Sequence, residues 1–454
     1  MSDQLDVVVV GGTVITTAGL RRADVGIVDG SIVKIGALAD EPAAEVIDAA
    51  GLHVSPGILD AHVHFNEPGR TEWEGIASGS ASLAAGGGTW FADMPLNSLP
   101  PVVDAASFAL KRTLAEQKSV TDFSLWGGLV PGNLDHLEAL RDAGAVGLKA
   151  FMCNSGVDEF ANVDAATLRA GMKRAAQLDL LVAVHAEDND LAAQGLASAR
   201  ARGSDAAAWL TSRPVELELA AIKTATELAG ETGCALHIVH VSSPEGIALV
   251  ADAKRRGVNV TAETCPHYLL LNEADVLRQG AAAKCAPPLR SEEARVALIW
   301  AALAGGVDTI GSDHSPAPPS MKTSEDFFAV WGGISGCQHG FPLLVSELLA
   351  IDATCWPRLA GLLAAQVARR FRLPGKGRLA VGYDADFCLL ELGAAQVLNN
   401  SDLLYRHRQG PYGGRRSTVR VRRTVVRGRS VFAEGRIATG PTYGKFIQPS
   451  PSYV

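Results

Sequence analysis

At 454 residues the chain is too long for one small core, so one large domain with a smaller companion is the natural architecture. Its 47% hydrophobic and 20% charged residues suit a globular enzyme, and a net charge of -8 gives nucleic acid no footing as a partner. No apolar run approaches the ~18 residues that a membrane span needs.

The chain opens on Met1-Ser2-Asp3-Gln4, which has no basic, apolar, cleavable leader pattern, so a cytoplasmic location is the expectation. Residues 5–50 read as β structure. Leu5-Asp6-Val7-Val8-Val9-Val10 meets Gly11-Gly12, read as a strand kink because no G-x-G-x-x-G leading into a helix follows. Two β-branched runs then flank the Asp29-Gly30 turn, a hairpin signal.

From residue 57 the pattern changes to short apolar strands alternating with helical stretches. Strands are expected at 58–63, 88–93, 121–126, 146–151, 180–185, 235–241, 258–262 and 307–312, with helices at 73–86, 104–117, 163–178, 215–232 and 244–256. Eight βα units in this length suit a parallel (β/α)8 barrel over 57–374, with 322–370 mostly helical after closure. Residues 375–440 return to β. The two chain ends, 1–56 and 375–454, are therefore expected to form one composite β-sandwich. The basic stretch 419–431 alternates, so its arginines are read as one solvated strand face. Seven scattered cysteines, never in C-x-x-C, read as packed free thiols in a reducing compartment.

Chemistry gathers at strand tips. Asp60-Ala61-His62-Val63-His64 ends the first strand, and residues two apart in a strand share a face, so His62 and His64 project together. Lys149 interrupts the apolar fourth strand, His185 ends the fifth, His240 the sixth, and Asp313 follows the eighth. Each has a plain alternative: a hydrogen-bonded core histidine, a capping aspartate, a snorkelling lysine. Together on the C-terminal rim of a barrel, they read as a metal site. Strand alternation turns His237 to the face opposite His240, as a structural residue. His267, His314 and His339 fall in loops, where bonding within the loop is the expected use.

These motifs resemble the amidohydrolase superfamily, specifically its cyclic amidohydrolase branch of dihydroorotases, hydantoinases (dihydropyrimidinases) and allantoinases. The finer ones are most similar to allantoinases: His64-Phe65-Asn66-Glu67-Pro68-Gly69-Arg70-Thr71-Glu72-Trp73, Asp93-Met94-Pro95-Leu96-Asn97-Ser98, Lys149 through Phe160, Glu263-Thr264-Cys265-Pro266-His267-Tyr268, Lys284 through Arg290, and Trp331 through Gln338. The likeness runs over essentially the whole chain.

The resemblance implies two divalent ions, with His62 and His64 on the more buried one and His185 and His240 on the more exposed one. An N6-carboxylated Lys149 would bridge them, and Asp313 would be both ligand and proton shuttle. Zinc is the first choice for this donor set; manganese, cobalt, nickel or iron would also suit it. A hydroxide generated between the ions would open a cyclic amide, allantoin to allantoate, with Asp313 passing the proton to the departing nitrogen. Dihydroorotase-like chains carry an arginine where this one has Asn66, so the substrate is expected to be an uncharged cyclic ureide, with Asn66, Asn97 and Ser155 as its contacts. Hydantoinase activity on other cyclic ureides is the alternative. A non-catalytic oligomeric scaffold is a third reading, opposed by the complete ligand set. A homotetramer is implied by resemblance alone.

Overall fold

The computed structural model describes residues 4–440 and 442–450; Met1-Ser2-Asp3, read above as carrying no leader pattern, lies outside them. Eight parallel strand units form the large domain: β1 (Ile58–Val63), β2 (Gly88–Asp93), β3 (Asp122–Leu125), β4 (Leu148–Phe151), β5 (Val182–His185), β6 (Leu236–Ile238), β7 (Val260–Thr264) and β8 (Thr309–Ile310). β1, β2 and β3 pair in order, and Gly127–Gly128, one residue beyond β3, carries the sheet on through β4 to β8. The seam closes where Val63 bridges His314 and His64 N donates to His314 O at 2.8 Å. A closed parallel barrel results, as expected.

Several connecting helices start at side-chain caps. Asp104 and Ser107 form a capping box for Ala105–Lys118, Asp164 caps Ala165–Gln177, and Ser243 caps Pro244–Arg255. Helix Val215–Thr232 matches its expected span. The barrel interior is filled from alternate strand positions: Leu59, Ala61, Trp90, Ala92, Trp126 and Ala183, with Phe371 plugging the lower end. Ile58, Val63, Phe91 and Leu148 pack outward against the helices.

Three expectations shift. Strands six and eight are shorter than the sequence pattern implied, and β7 runs two residues later, to Thr264. After a short turn at Pro319–Lys322, the stretch to residue 339 has no regular helix, and helices resume at Gly340–Ile351. That irregular stretch is cavity wall, where the chain follows a mouth rather than a core.

At the chain ends, Ser31–Gly36, Asp24–Val28, Leu5–Val10 and Ala43–Asp48 make one sheet in that order. The other, of seven strands, joins both termini: Phe387–Val397 pairs with His53–Pro56 on one side and Arg416–Val426 on the other. Val7, Val9, Val14, Ile27, Val54, Phe387 and Leu389 form the core the two sheets share, a sandwich. Gly11 and Gly12 mark the step between sheets. Gly11 has φ +74°, and a Cβ on Gly12 would lie 2.6 Å from Val54. The basic stretch is offset locally: Arg422 reaches Glu391 and Glu434, and Arg423 reaches Glu45. Lys376, fully buried, gathers Asp122 of the barrel with Asp384 and Asp386 of the sandwich at 2.6–2.8 Å. Lys376 and Arg427, which also pairs with Asp122, together offset much of the charge of this carboxylate cluster.

Candidate metal centre

In a regular strand, Leu59 and Ala61 facing inward would turn His62 outward. The pairing of β1 with β2 slips between Asp60 and Val63, and this bulge re-aims the tip so that His62 and His64 both meet the cavity. Asp60 Oδ1 accepts from Ser312 N at 2.9 Å and His62 N at 3.2 Å, tying the bulge to the barrel seam. Gly311 is required beside it, because a Cβ there would sit 2.9 Å from His62 Cβ. Burial raises the Asp60 carboxyl to about 7.

Three of the four rim histidines are anchored through the nitrogen facing away from the centre. His62 Nδ1 donates to Glu263 at 2.7 Å, His64 Nδ1 to Leu96 O at 2.9 Å, and His185 Nε2 to Glu187 at 2.7 Å. Each bond fixes the tautomer and leaves the other nitrogen as a lone-pair donor directed inward. Those inward atoms converge. Asp313 Oδ1 lies 3.2 Å from His62 Nε2 and 3.4 Å from His64 Nε2, while His185 Nδ1 and His240 Nε2 are 2.9 Å apart. The His62 and His240 rings, 5.4 Å apart, join the two groups. His240 and Asp313 lie just past their strands with φ of 39° and 44°, a left-handed backbone that turns both side chains over the rim.

Burial lowers the pKa of His62 and His185, and that of His240 further still, with the neighbouring His185 adding to the effect. Neutral imidazole is the form that binds cations. Burial alone would raise Asp313, but His62, His64 and His240 hold it well below the usual carboxylate range. Lys149 is fully buried, and among the described residues its Nζ has no hydrogen-bond partner. Burial pushes it down to about 8. Its Nζ lies 5.0 Å from the centre of the Phe151 ring, on which His185 stacks. A buried unpartnered amine, four inward imidazole nitrogens and a carboxylate are a donor set that fits a pair of divalent cations.

Above this centre lies a cavity of about 690 Å³, lined by the histidines, Asn97, Ser155, Arg213, Trp331 and others. Asn97 borders it, as expected. Ser155 also borders it, yet its hydroxyl donates to Phe160 O at 2.6 Å, inside its own loop. Asn66 is a correction: it is fully buried behind the wall, where its carbonyl accepts from Asn97 Nδ2 at 3.0 Å and its amide donates to Pro316 O. It orients Asn97 instead of facing the cavity.

His237 is a second correction. β6 ends at Ile238 and the left-handed turn at His240 breaks the alternation, so parity between the two does not hold. His237 faces the barrel interior, 3.5 Å from the same Glu263 that anchors His62. His314 bonds Gly336 within the loops, as expected. The sequence reading missed Glu263, Glu187 and Arg213. Glu187 follows His185 by two, so an acid beside a rim histidine was an available signal for it; Glu263, within β7 (Val260–Thr264), has no such neighbour in sequence. Burial would raise both acids. His62 and His237 hold Glu263 down at about 2, and Arg213 and His185 do the same for Glu187.

Comparison with known proteins places these features in context. The amidohydrolase family profile matches residues 53–431. A protein named Allantoinase from Deinococcus radiodurans is 50% identical over 98% of this chain and 99% of its own length, and one of the same name from Bacillus velezensis is 44% identical over 98% of each. Among solved structures, an L-hydantoinase (dihydropyrimidinase) from Arthrobacter aurescens superposes with a TM-score of 0.95 at 32% identity, covering 98% of this chain and all of that one.

Proposed function

Because the chain belongs to the amidohydrolase family, we propose that it hydrolyses the cyclic amide of allantoin to allantoate with a pair of divalent ions held at the barrel mouth. The observation that carries this reading is the convergence of His62, His64 and Asp313, with His185 and His240 paired beside them and an unpartnered Lys149 buried on the neighbouring β4. The relatives named Allantoinase, similar over nearly the full chain, supply the substrate.

In this reading His62, His64 and Asp313 would hold one ion, and His185 and His240 would hold the other. Lys149, in its uncharged form, would add to carbon dioxide, an N–C bond forming as a C=O π bond opens and a proton leaves, and the carboxylate would serve as a further ligand. Zinc is the first choice of metal. Bound there, the ions supply a Lewis acid for the ring carbonyl and lower the pKa of water so that it is nucleophilic near neutrality.

The chain's own residues supply the rest. Asp313, 13% exposed and on the cavity wall, is ionised and so accepts the proton of the attacking water. It then delivers that proton to the ring nitrogen, which departs poorly as an anion. Asn97, held by Asn66 and by Arg70, whose Nη1 donates to Asn97 O at 2.7 Å, offers a neutral amide to a neutral ureide. The division of the chain into 57–374 and the two ends, a homotetramer and a cytoplasmic location belong to the same reading. Among the described residues no helix is long and apolar enough to cross a membrane.

The test is metal analysis with a comparison of substrates. Metal-loaded protein is expected to hydrolyse allantoin well above dihydrouracil and 5-substituted hydantoins. Faster turnover of the latter would favour a hydantoinase, the class of the structural neighbours. A metal-free, inactive protein that still assembles would make it a scaffold.

A further inference from the structure

His185 is held by means that the other ligands do not share. It ends β5, and the Phe151 ring stacks on it with centroids 4.7 Å apart and planes 14° from parallel. A stack fixes the plane of an imidazole but not its two-fold flip. Flipped, the ring would turn a carbon toward His240 in place of Nδ1 and have no lone pair to offer there. The flip is decided by Glu187, whose Oε2 accepts from His185 Nε2 at 2.7 Å. That same Oε2 also pairs with Arg213 Nη1.

Arg213 stands between helices Ala206–Thr211 and Val215–Thr232, on the cavity wall and 24% exposed. Its backbone is fixed in turn. Arg290 Nη1 donates to Arg213 O at 2.6 Å and Arg290 Nε to Ser242 Oγ at 2.9 Å, and Ser242 Oγ donates to Glu218 at 3.0 Å. A line of charged groups thus runs from the loops at the mouth to the orientation of one ligand ring.

We propose that the Glu187–Arg213 pair is a positioning device for the His185/His240 half of the centre, setting how tightly that half holds its ion while leaving the His62/His64 half untouched. The proposal rests on the two-metal reading above. Neither residue is a ligand or touches the reacting atoms in it. Glu187 acts through His185, and Arg213 acts through Glu187 by holding that oxygen in place. Outer partners of this kind usually change metal affinity by about 10–100-fold.

The test titrates metal-free full-length protein with zinc and with cobalt(II), reading stoichiometry and affinity by equilibrium dialysis and the cobalt visible absorption. Wild type is expected to bind two ions. Arg213→Ala and Glu187→Gln are expected to keep one at wild-type affinity and to bind the second about 10–100-fold more weakly, with part of the cobalt absorption lost. Added guanidinium should restore the second ion to Arg213→Ala, and Arg213→Lys should fall between. If the alanine variant does not fold, Arg213→Lys, which keeps the charge and the stem, carries the same readout. Variants that bind both ions at wild-type affinity with an unchanged cobalt spectrum would overturn the proposal, as would folded variants that lose both ions together. A wild-type protein that takes up no pair would instead sink the two-metal reading itself.

Discussion

The two halves of the centre reach similar geometry by different routes. His62, His64 and Asp313 are set by the barrel: a bulge in β1, a glycine on the seam, and Glu263 within β7. His185 and His240 stand at the tips of β5 and β6, but the partner of His185 is an acid beyond the strand, held by an arginine between two helices. Both anchoring carboxylates are fully buried. The lesson is that burial alone does not make a ligand rigid; one half inherits its rigidity from strand pairing, and the other depends on a salt bridge reaching the cavity wall.

The largest expected effect removes the proton carrier, which belongs to the His62/His64 half. Asp313→Asn should lower ring-opening turnover by about 10²–10⁴-fold while part of the metal stays, measured as kcat beside metal content. Full activity in this variant would refute the proton role. Lys149→Ala should lose the paired metal and its activity, with partial recovery in a short carboxylic acid such as propionate that replaces the missing bridge. Activity restored equally by a neutral amide of the same size would exclude that explanation.

Glu263→Gln sharpens the comparison from the other side. It should weaken the ion at His62/His64 and spare the one at His185/His240, the reverse of Glu187→Gln; identical metal profiles for the two variants would erase the distinction between the halves. Acid should not distinguish them. Each of these carboxyls is held at about 2, below its ordinary 4.5, so each stabilises the fold fully above about 4.5 and loses that contribution as the pH falls toward about 2. Urea unfolding of metal-free protein should show stability declining through that window, with a shallower decline in either glutamine variant. The smallest effects belong to the cavity wall. Asn97→Ala should raise KM for allantoin by about 2- to 10-fold, the worth of one neutral hydrogen bond, and Ser155→Ala by less because its hydroxyl is already used by its own loop.

The barrel and the residues gathered at its rim were legible because periodicity and residue chemistry are local: apolar strands interrupted by His62, His64, Lys149, His185 and His240 show in the sequence itself. What sequence could not supply was geometry created by pairing between distant segments. The bulge at residues 61–62 depends on how β2 lies alongside, and the inward turn of His237 depends on where β6 stops. Asn66 was expected as a contact because it stands where dihydroorotase-like chains carry an arginine, yet it has a left-handed backbone, φ 64°, and is buried behind the wall. The Glu187–Arg213 pair joins a strand tip to a linker 26 residues away, a link that no spacing announces.

The central claim is most directly tested by stripping the protein with a chelator and following allantoin hydrolysis as a divalent metal is returned. The account predicts that activity disappears with the metal and recovers as two ions per chain bind. Ring opening at full rate in the stripped protein would contradict it.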